Sequence, residues 1–151
     1  MQKSAGVEDK VLIGAHSIKI EMDKRVDEVN SSDFDMIVLP GGLPNAFTLA
    51  DDNDVQRLLK EFEEKNKKIG AICAAPYALH KAGVLNQNYT CYPSFEKKIK
   101  DDGYQDDKNV VTDNNVITSR GPATAIDFAL EIVKTLKGDD IYFQVKTGLL
   151  A

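Results

Sequence analysis

Short apolar runs alternate along this chain with longer stretches whose apolar residues recur every three or four positions. Residues 34–39 (FDMIVL) form one such run, and it ends at Pro40-Gly41-Gly42, where a buried strand gives way to a loop. Val55, Leu58, Leu59 and Phe62 then repeat at helical spacing, behind acidic and amide residues at 51–54 that suit a helix N-terminus. Residues 69–72 (IGAI) are a second buried run. It passes without a spacer into Cys73-Ala74-Ala75-Pro76 and on into a helix that Gly83 closes. Residues 89–93 read as a further short strand, and residues 110–119 (VVTDNNVITS) as two strands about an Asp-Asn-Asn turn. Pro122 opens a last helix, ended by Gly138, whose Ile126, Phe128, Ala129, Ile132, Val133 and Leu136 are expected to face a core. Ahead of all this, residues 11–23 hold two extended stretches that predict a hairpin or sheet edge. Strand–helix alternation of this kind predicts an α/β protein with an open, mostly parallel sheet and helices on both faces.

Composition narrows the picture without redrawing it. At 151 residues, 42% hydrophobic and 28% charged, the chain has the size and make-up of a single globular domain. No repeat, linker or low-complexity run divides it. The net charge of −5 and the interspersed lysines and acids offer no basic stripe for nucleic acid. Apolar stretches such as 36–39 are far too short to cross a bilayer, and the opening residues lack a secretory-signal pattern. The two cysteines, Cys73 and Cys91, show no metal-ligand spacing and are too few for a disulfide framework. Free thiols in a reducing, cytoplasmic setting are the expectation, with no metal.

Cys73 is the sharpest chemical signal. It stands between a buried strand and a helix, the layout of a nucleophile elbow, where the positive end of the helix dipole favours a thiolate. The competing reading is a small, inert core cysteine. Gly41 and Gly42 follow the neighbouring strand. Glycines there let backbone approach closely, and their amides, with that of Ala74, are candidates for an oxyanion hole beside Cys73. The competing reading is an ordinary tight turn. Cys91 has no helix N-terminus or cation beside it and reads as structural. The only histidines are His16 and His80. His80 lies seven residues beyond Cys73 on one helix, about 10 Å along its axis, which is too far to hydrogen-bond the thiol. His16 reaches it only through the fold or from a partner subunit, so the sequence secures no Cys-His dyad.

Four segments together carry a resemblance: Val38-Leu39-Pro40-Gly41-Gly42, Ala71-Ile72-Cys73-Ala74-Ala75-Pro76, Thr90-Cys91-Tyr92-Pro93-Ser94, and Ile117-Thr118-Ser119-Arg120-Gly121-Pro122-Ala123-Thr124. In order and spacing they resemble the DJ-1/ThiJ branch of the DJ-1/ThiJ/PfpI superfamily, over nearly the whole chain from about Val11. The resemblance implies a flavodoxin-like sheet, a homodimer, no cofactor, and Cys73 as an easily oxidised nucleophile with oxyanion donors at Gly42 and Ala74. Tyr92, His16, Arg120 and Pro122 are the expected neighbours of the thiol. Its chemistry would be glyoxalase or deglycase action on small aldehydes such as methylglyoxal, a role in oxidative stress, or both. Two departures bear on the chemistry: Tyr92 stands where many relatives have a histidine near the nucleophile, which leaves it at most a hydrogen-bonding neighbour, and Ala74 follows the cysteine where the protease branch has histidine, which weakens the protease reading. A third is larger. The family opens with a strand and helix whose turn supplies a glutamate beside the thiol, and this sequence shows no counterpart. In a flavodoxin-like order of 2-1-3-4-5 that strand lies inside the sheet, so a slot is expected there, or a separate N-terminal fragment that fills it. Glu21 and Glu28 are poor substitutes for the glutamate. The alternatives are a non-catalytic, redox-sensing dimeric binding protein or chaperone and, with less behind it, a cysteine hydrolase or protease.

Overall fold

The computed structural model describes residues 2–7, 9–14, 16–99 and 102–151. Its main sheet is built from the apolar runs. β5 (Met36–Leu39), β6 (Lys68–Ile72) and β8 (Val116–Ser119) lie parallel, and β7 (Val110–Asp113) closes one side antiparallel to β8, in the order β5-β6-β8-β7. The β7–β8 connection turns at Asn114, which adopts a left-handed φ of +51°, as asparagine does most readily after glycine. Ahead of the sheet stand four short strands. β1 (Ala5–Gly6) pairs in parallel with β4 (Lys24–Arg25), while β2 (Val11–Ile13) and β3 (Lys19–Glu21) form the expected hairpin.

Helices cover both faces of the sheet. On one side α1 (Asn45–Asp51), α2 (Asn53–Glu64) and α3 (Pro76–Ala82) pack against the sheet's inner residues. Leu58, Leu59 and Phe62 of α2 meet Leu39, Ile69 and Ala71, all but sealed from solvent. Burying each such side chain contributes about 1.5–3 kcal/mol. The Asp52 carboxylate accepts the Val55 amide at 2.9 Å and caps α2. Gly83, at φ +74°, ends α3 as a left-handed cap. On the opposite face lies α5 (Ala125–Lys137). A Cβ on Gly70 would stand 2.8 Å from Met36 Cε and 3.1 Å from Phe128 Cζ, so the missing side chain is what lets α5 lie close to β6. A short α4 (Glu96–Ile99) and a final α6 (Asp139–Leu149), packed on α5, complete the fold.

Two expectations need correction, and one helix goes unforeseen. Residues 90–93 are an irregular segment that follows an isolated β-bridge between Tyr89 and Tyr104, and no strand forms there. Its amides are met by side chains and loops instead of a ladder: Thr118 Oγ1 accepts the Thr90 amide at 2.9 Å. In α5, Phe128 and Leu130 are the buried residues, whereas Ile126 is 56% and Leu136 39% exposed. The apolar stripe is wider than the part of the sheet the helix covers. Finally, Gly138 ends α5 but is followed directly by α6, a continuation that its break in the apolar period conceals.

Candidate active site

Cys73 is the single residue between β6 and the turn that leads to Pro76, the first residue of α3. Its φ of +66° is left-handed, which costs a non-glycine residue about 1–2 kcal/mol. Tertiary hydrogen bonds hold it there. The Cys73 amide donates to the Ser119 carbonyl at 2.8 Å, and the Cys73 carbonyl accepts the Tyr92 amide at 2.8 Å. Ser119 is itself fixed, its hydroxyl donating to the Asn109 carbonyl at 2.9 Å and lying 2.6 Å from Thr124 Oγ1. Three segments distant in sequence therefore converge on one strained residue.

The loop after β5 approaches from the other side. A Cβ on Gly41 would fall 2.5 Å from Cys73 Cβ, 2.8 Å from the Ile72 carbonyl oxygen and 3.1 Å from Cys73 Sγ. Contacts that short do not occur, so only glycine permits this approach. Gly42 adopts a φ of +91° and is exposed. Asn45 braces the loop by donating from Nδ2 to the carbonyls of Pro40 (3.1 Å) and Gly41 (3.0 Å). The Gly42 and Ala74 amides donate to no other described residue, which leaves both available to an oxygen. Cys73 is partly exposed and free.

Around this centre the predicted residues divide. Tyr92 is adjacent: its amide holds Cys73, and its ring packs on Gly121, next to Pro122. Arg120 lies beside the same segment, its guanidinium donating to the Asp106 carbonyl. His16 is exposed in the β2–β3 turn and His80 is exposed in the last turn of α3; no hydrogen bond joins either to Cys73 among the described residues. Glu21 is exposed on β3, and Glu28 is engaged by the Arg25 amide at 2.9 Å. Cys91 is fully buried. Burial, then the nearby Glu96 charge, push its thiol up to about 12, and its S–H faces the Tyr92 carbonyl at 3.5 Å. The sequence did not reveal the roles of Ser119 and Asn45. Ser119 belongs to the segment Ile117-Thr118-Ser119-Arg120, but a role played through its backbone carbonyl leaves no trace in residue type. No group of three histidine, cysteine or acidic side chains among the described residues is placed to hold a metal, and no helix is long and apolar enough to cross a membrane.

The strand–turn–helix geometry around Cys73 defines a class, that of flavodoxin-like α/β proteins with a cysteine at the elbow. The DJ-1/PfpI family model matches residues 2–135, and the chain belongs to that family. It is 41% identical to protein dj-1beta of Drosophila melanogaster, over 90% of this chain and 74% of that one. The crystal structure of Drosophila DJ-1beta superposes with a TM-score of 0.92 at 39% identity, covering 99% of this chain and 82% of that one. The chain is also 39% identical to the glutathione-independent glyoxalase DJR-1.2 of Caenorhabditis elegans, over 83% of this chain and 68% of that one. Identity to the glutathione-independent glyoxalase DJ-1 of Schizosaccharomyces pombe is 32%, over 93% of this chain and 78% of that one.

Proposed function

We propose that this protein is a cofactor-independent glyoxalase that acts through Cys73 on small reactive aldehydes such as methylglyoxal. The observation that carries the reading is the left-handed Cys73, held against Gly41 with the Gly42 and Ala74 amides unengaged. Two relatives named as glutathione-independent glyoxalases support it. In this reading the Cys73 thiolate adds to the aldehyde carbon to give a hemithioacetal, and the Gly42 and Ala74 amides stabilise the developing oxyanion. The former aldehyde hydrogen leaves as a proton while a proton is returned to the neighbouring carbon, so the ketone becomes an alcohol and the aldehyde carbon a thioester. Water then cleaves the thioester, releasing lactate and restoring the thiol. The sequence is redox-neutral overall. Tyr92, Arg120 and Pro122 border the reacting centre.

The protein works in this proposal as a cytoplasmic homodimer whose sheet is completed by a further polypeptide segment. Apolar residues exposed on the β2–β3 hairpin, among them Ile13 and Ile20, support self-association. The direct test is incubation with methylglyoxal while lactate is followed. Wild-type turnover that Cys73→Ala abolishes is expected; no turnover, or equal turnover in the variant, overturns the proposal. A second reading, redox sensing at the same sulfur, draws on the contrast between a partly exposed Cys73 and a sealed Cys91. Mild peroxide should then add oxygens at Cys73 alone by mass spectrometry; equal or preferred addition at Cys91 would refute it.

A further inference from the structure

Two backbone bonds hold Cys73 in its left-handed conformation, and both partners lead to one hydroxyl. The Cys73 amide is met by the Ser119 carbonyl, and the Cys73 carbonyl by the Tyr92 amide. Thr124 Oγ1 lies 2.6 Å from Ser119 Oγ and accepts the Gly121 amide at 3.1 Å. Gly121 is buried under the Tyr92 ring, whose Cδ2 and Cε2 lie 3.4 and 3.8 Å from where a Cβ of that glycine would stand. Two hydroxyl protons serve this network, one on Ser119 and one on Thr124. The Ser119 proton goes to the Asn109 carbonyl at 2.9 Å. The Thr124 proton has two acceptors in reach, Ser119 Oγ at 2.6 Å and the Gly121 carbonyl at 2.9 Å. That carbonyl already accepts the Thr124 amide at 3.0 Å, whereas two oxygens 2.6 Å apart need a proton between them. The Thr124 proton therefore belongs to Ser119. One directed chain results, from the Gly121 amide through Thr124 and Ser119 to the Asn109 carbonyl, in which each bond polarises the next. A threonine in this place ordinarily caps a helix. Thr124 does precede α5, yet its hydroxyl accepts none of that helix's amides and turns back into the 119–124 turn.

We infer that Thr124 is a positioning residue for Cys73: its hydroxyl fixes the Ser119 carbonyl and, through Gly121, the Tyr92 segment, so that the elbow keeps its left-handed conformation. Ser119 and Gly121 are both buried, so removing that hydroxyl leaves the Gly121 amide unmet and Ser119 without its donor. The inference rests on the reading of Cys73 as the reactive sulfur, but it is measured on the thiol itself and does not need methylglyoxal turnover.

Thr124→Val keeps the side chain's shape and removes the hydroxyl, and Thr124→Ser puts the hydroxyl back. Ser119→Ala removes the next member of the chain and tests it from the other end should Thr124→Val not fold. Hydrogen exchange of the Cys73 amide and alkylation of Cys73 by iodoacetamide are measured on each variant well below its melting temperature. Thr124→Val is expected to speed exchange of that amide about fivefold, the weight of one hydrogen bond at about 1 kcal/mol, and to slow alkylation. Thr124→Ser should match wild type. The Ser119→Ala, Thr124→Val double variant should be no worse than the more affected single one, because both break the same chain. Asp52→Ala, which uncaps α2, is the control for lost stability alone. Wild-type exchange and alkylation in Thr124→Val overturn the inference. So do a Thr124→Ser protein that behaves like Thr124→Val, an effect that Asp52→Ala reproduces, and additive effects in the double variant. Lactate formation from methylglyoxal on the same preparations separates the two readings. Altered alkylation in Thr124→Val without wild-type turnover sinks only the glyoxalase, and wild-type turnover with unaltered alkylation in Thr124→Val sinks only the role of Thr124.

Discussion

Replacing Gly41 by alanine tests whether the loop after β5 and the elbow are fitted to each other. The added methyl would sit 2.5 Å from Cys73 Cβ and 2.8 Å from the Ile72 carbonyl oxygen. Both neighbours are anchored, the first by the hydrogen bonds from Tyr92 and to Ser119, the second by accepting the Ala75 amide at 3.2 Å. The loop must therefore retreat by roughly 1 Å to reach ordinary contact distance. Overpacking of this kind costs about 1–3 kcal/mol, and a displacement of about 1 Å at a reacting centre costs about a hundredfold in rate. Gly83→Ala is the control. At φ +74° with nothing within 4 Å, it carries backbone strain alone, at the far end of α3. Thermal unfolding and the rate of Cys73 alkylation by iodoacetamide should be measured on both. Both variants are expected to melt lower, but only Gly41→Ala should alter Cys73 alkylation or methylglyoxal turnover. A Gly41→Ala protein with wild-type melting temperature, alkylation and turnover would refute the claim that close approach dictates glycine there.

Native protein treated with iodoacetamide near pH 8 should label Cys73 and spare Cys91, because a thiol with a pKa of about 12 is ionised there in only about one molecule in ten thousand; labelling of Cys91 without denaturant would contradict this. The same raised value makes an alkaline prediction. The native state holds the Cys91 proton after the unfolded chain has released it, so this stability is complete below pH 9 and declines by about 1.4 kcal/mol per pH unit towards pH 12. Cys91→Ala should flatten that slope in urea titrations. Asn45→Ala removes two hydrogen bonds to the Pro40 and Gly41 carbonyls and is expected to cost about 1–2 kcal/mol and to speed exchange of the Gly41 and Gly42 amides. Asp52→Ala removes the cap on α2 and should cost about 1 kcal/mol in chemical denaturation without changing Cys73 alkylation.

Much of this fold is legible in the chain because its signals are local. The runs at 36–39 and 69–72 end in residues that cannot continue a strand, and Pro76 and Gly83 bracket α3. What escaped is tertiary. α1 is only seven residues long, and its buried Ala46, Leu49 and Ala50 make too brief a pattern to outweigh the Gly-Leu-Pro that precedes them. The stripe of α5 reads as core throughout, yet the sheet covers Phe128 and leaves Ile126 in solvent. Thr90 and Cys91 are as buried as strand residues would be, but a threonine side chain of β8 takes the bond that a neighbouring strand would have taken. At the site, residue types pointed to Cys73, Gly41 and Ala74. Ser119 contributes through its carbonyl, which every residue possesses, and Asn45 reaches backbone four and five positions away, so neither role is encoded in a recognisable side-chain pattern.

The two backbone bonds at Cys73 have a consequence for how this protein ages and fails. They come from the end of β8 and from the irregular stretch at Tyr92, and no ladder holds the latter in place. Fraying of that stretch removes the Tyr92 bond and leaves the Ser119 carbonyl to hold Cys73 alone, so the sulfur loses part of its fixed position against Gly41 before the sheet opens. Loss of thiol reactivity should therefore precede melting on a heating ramp, making the sulfur an early gauge of local wear.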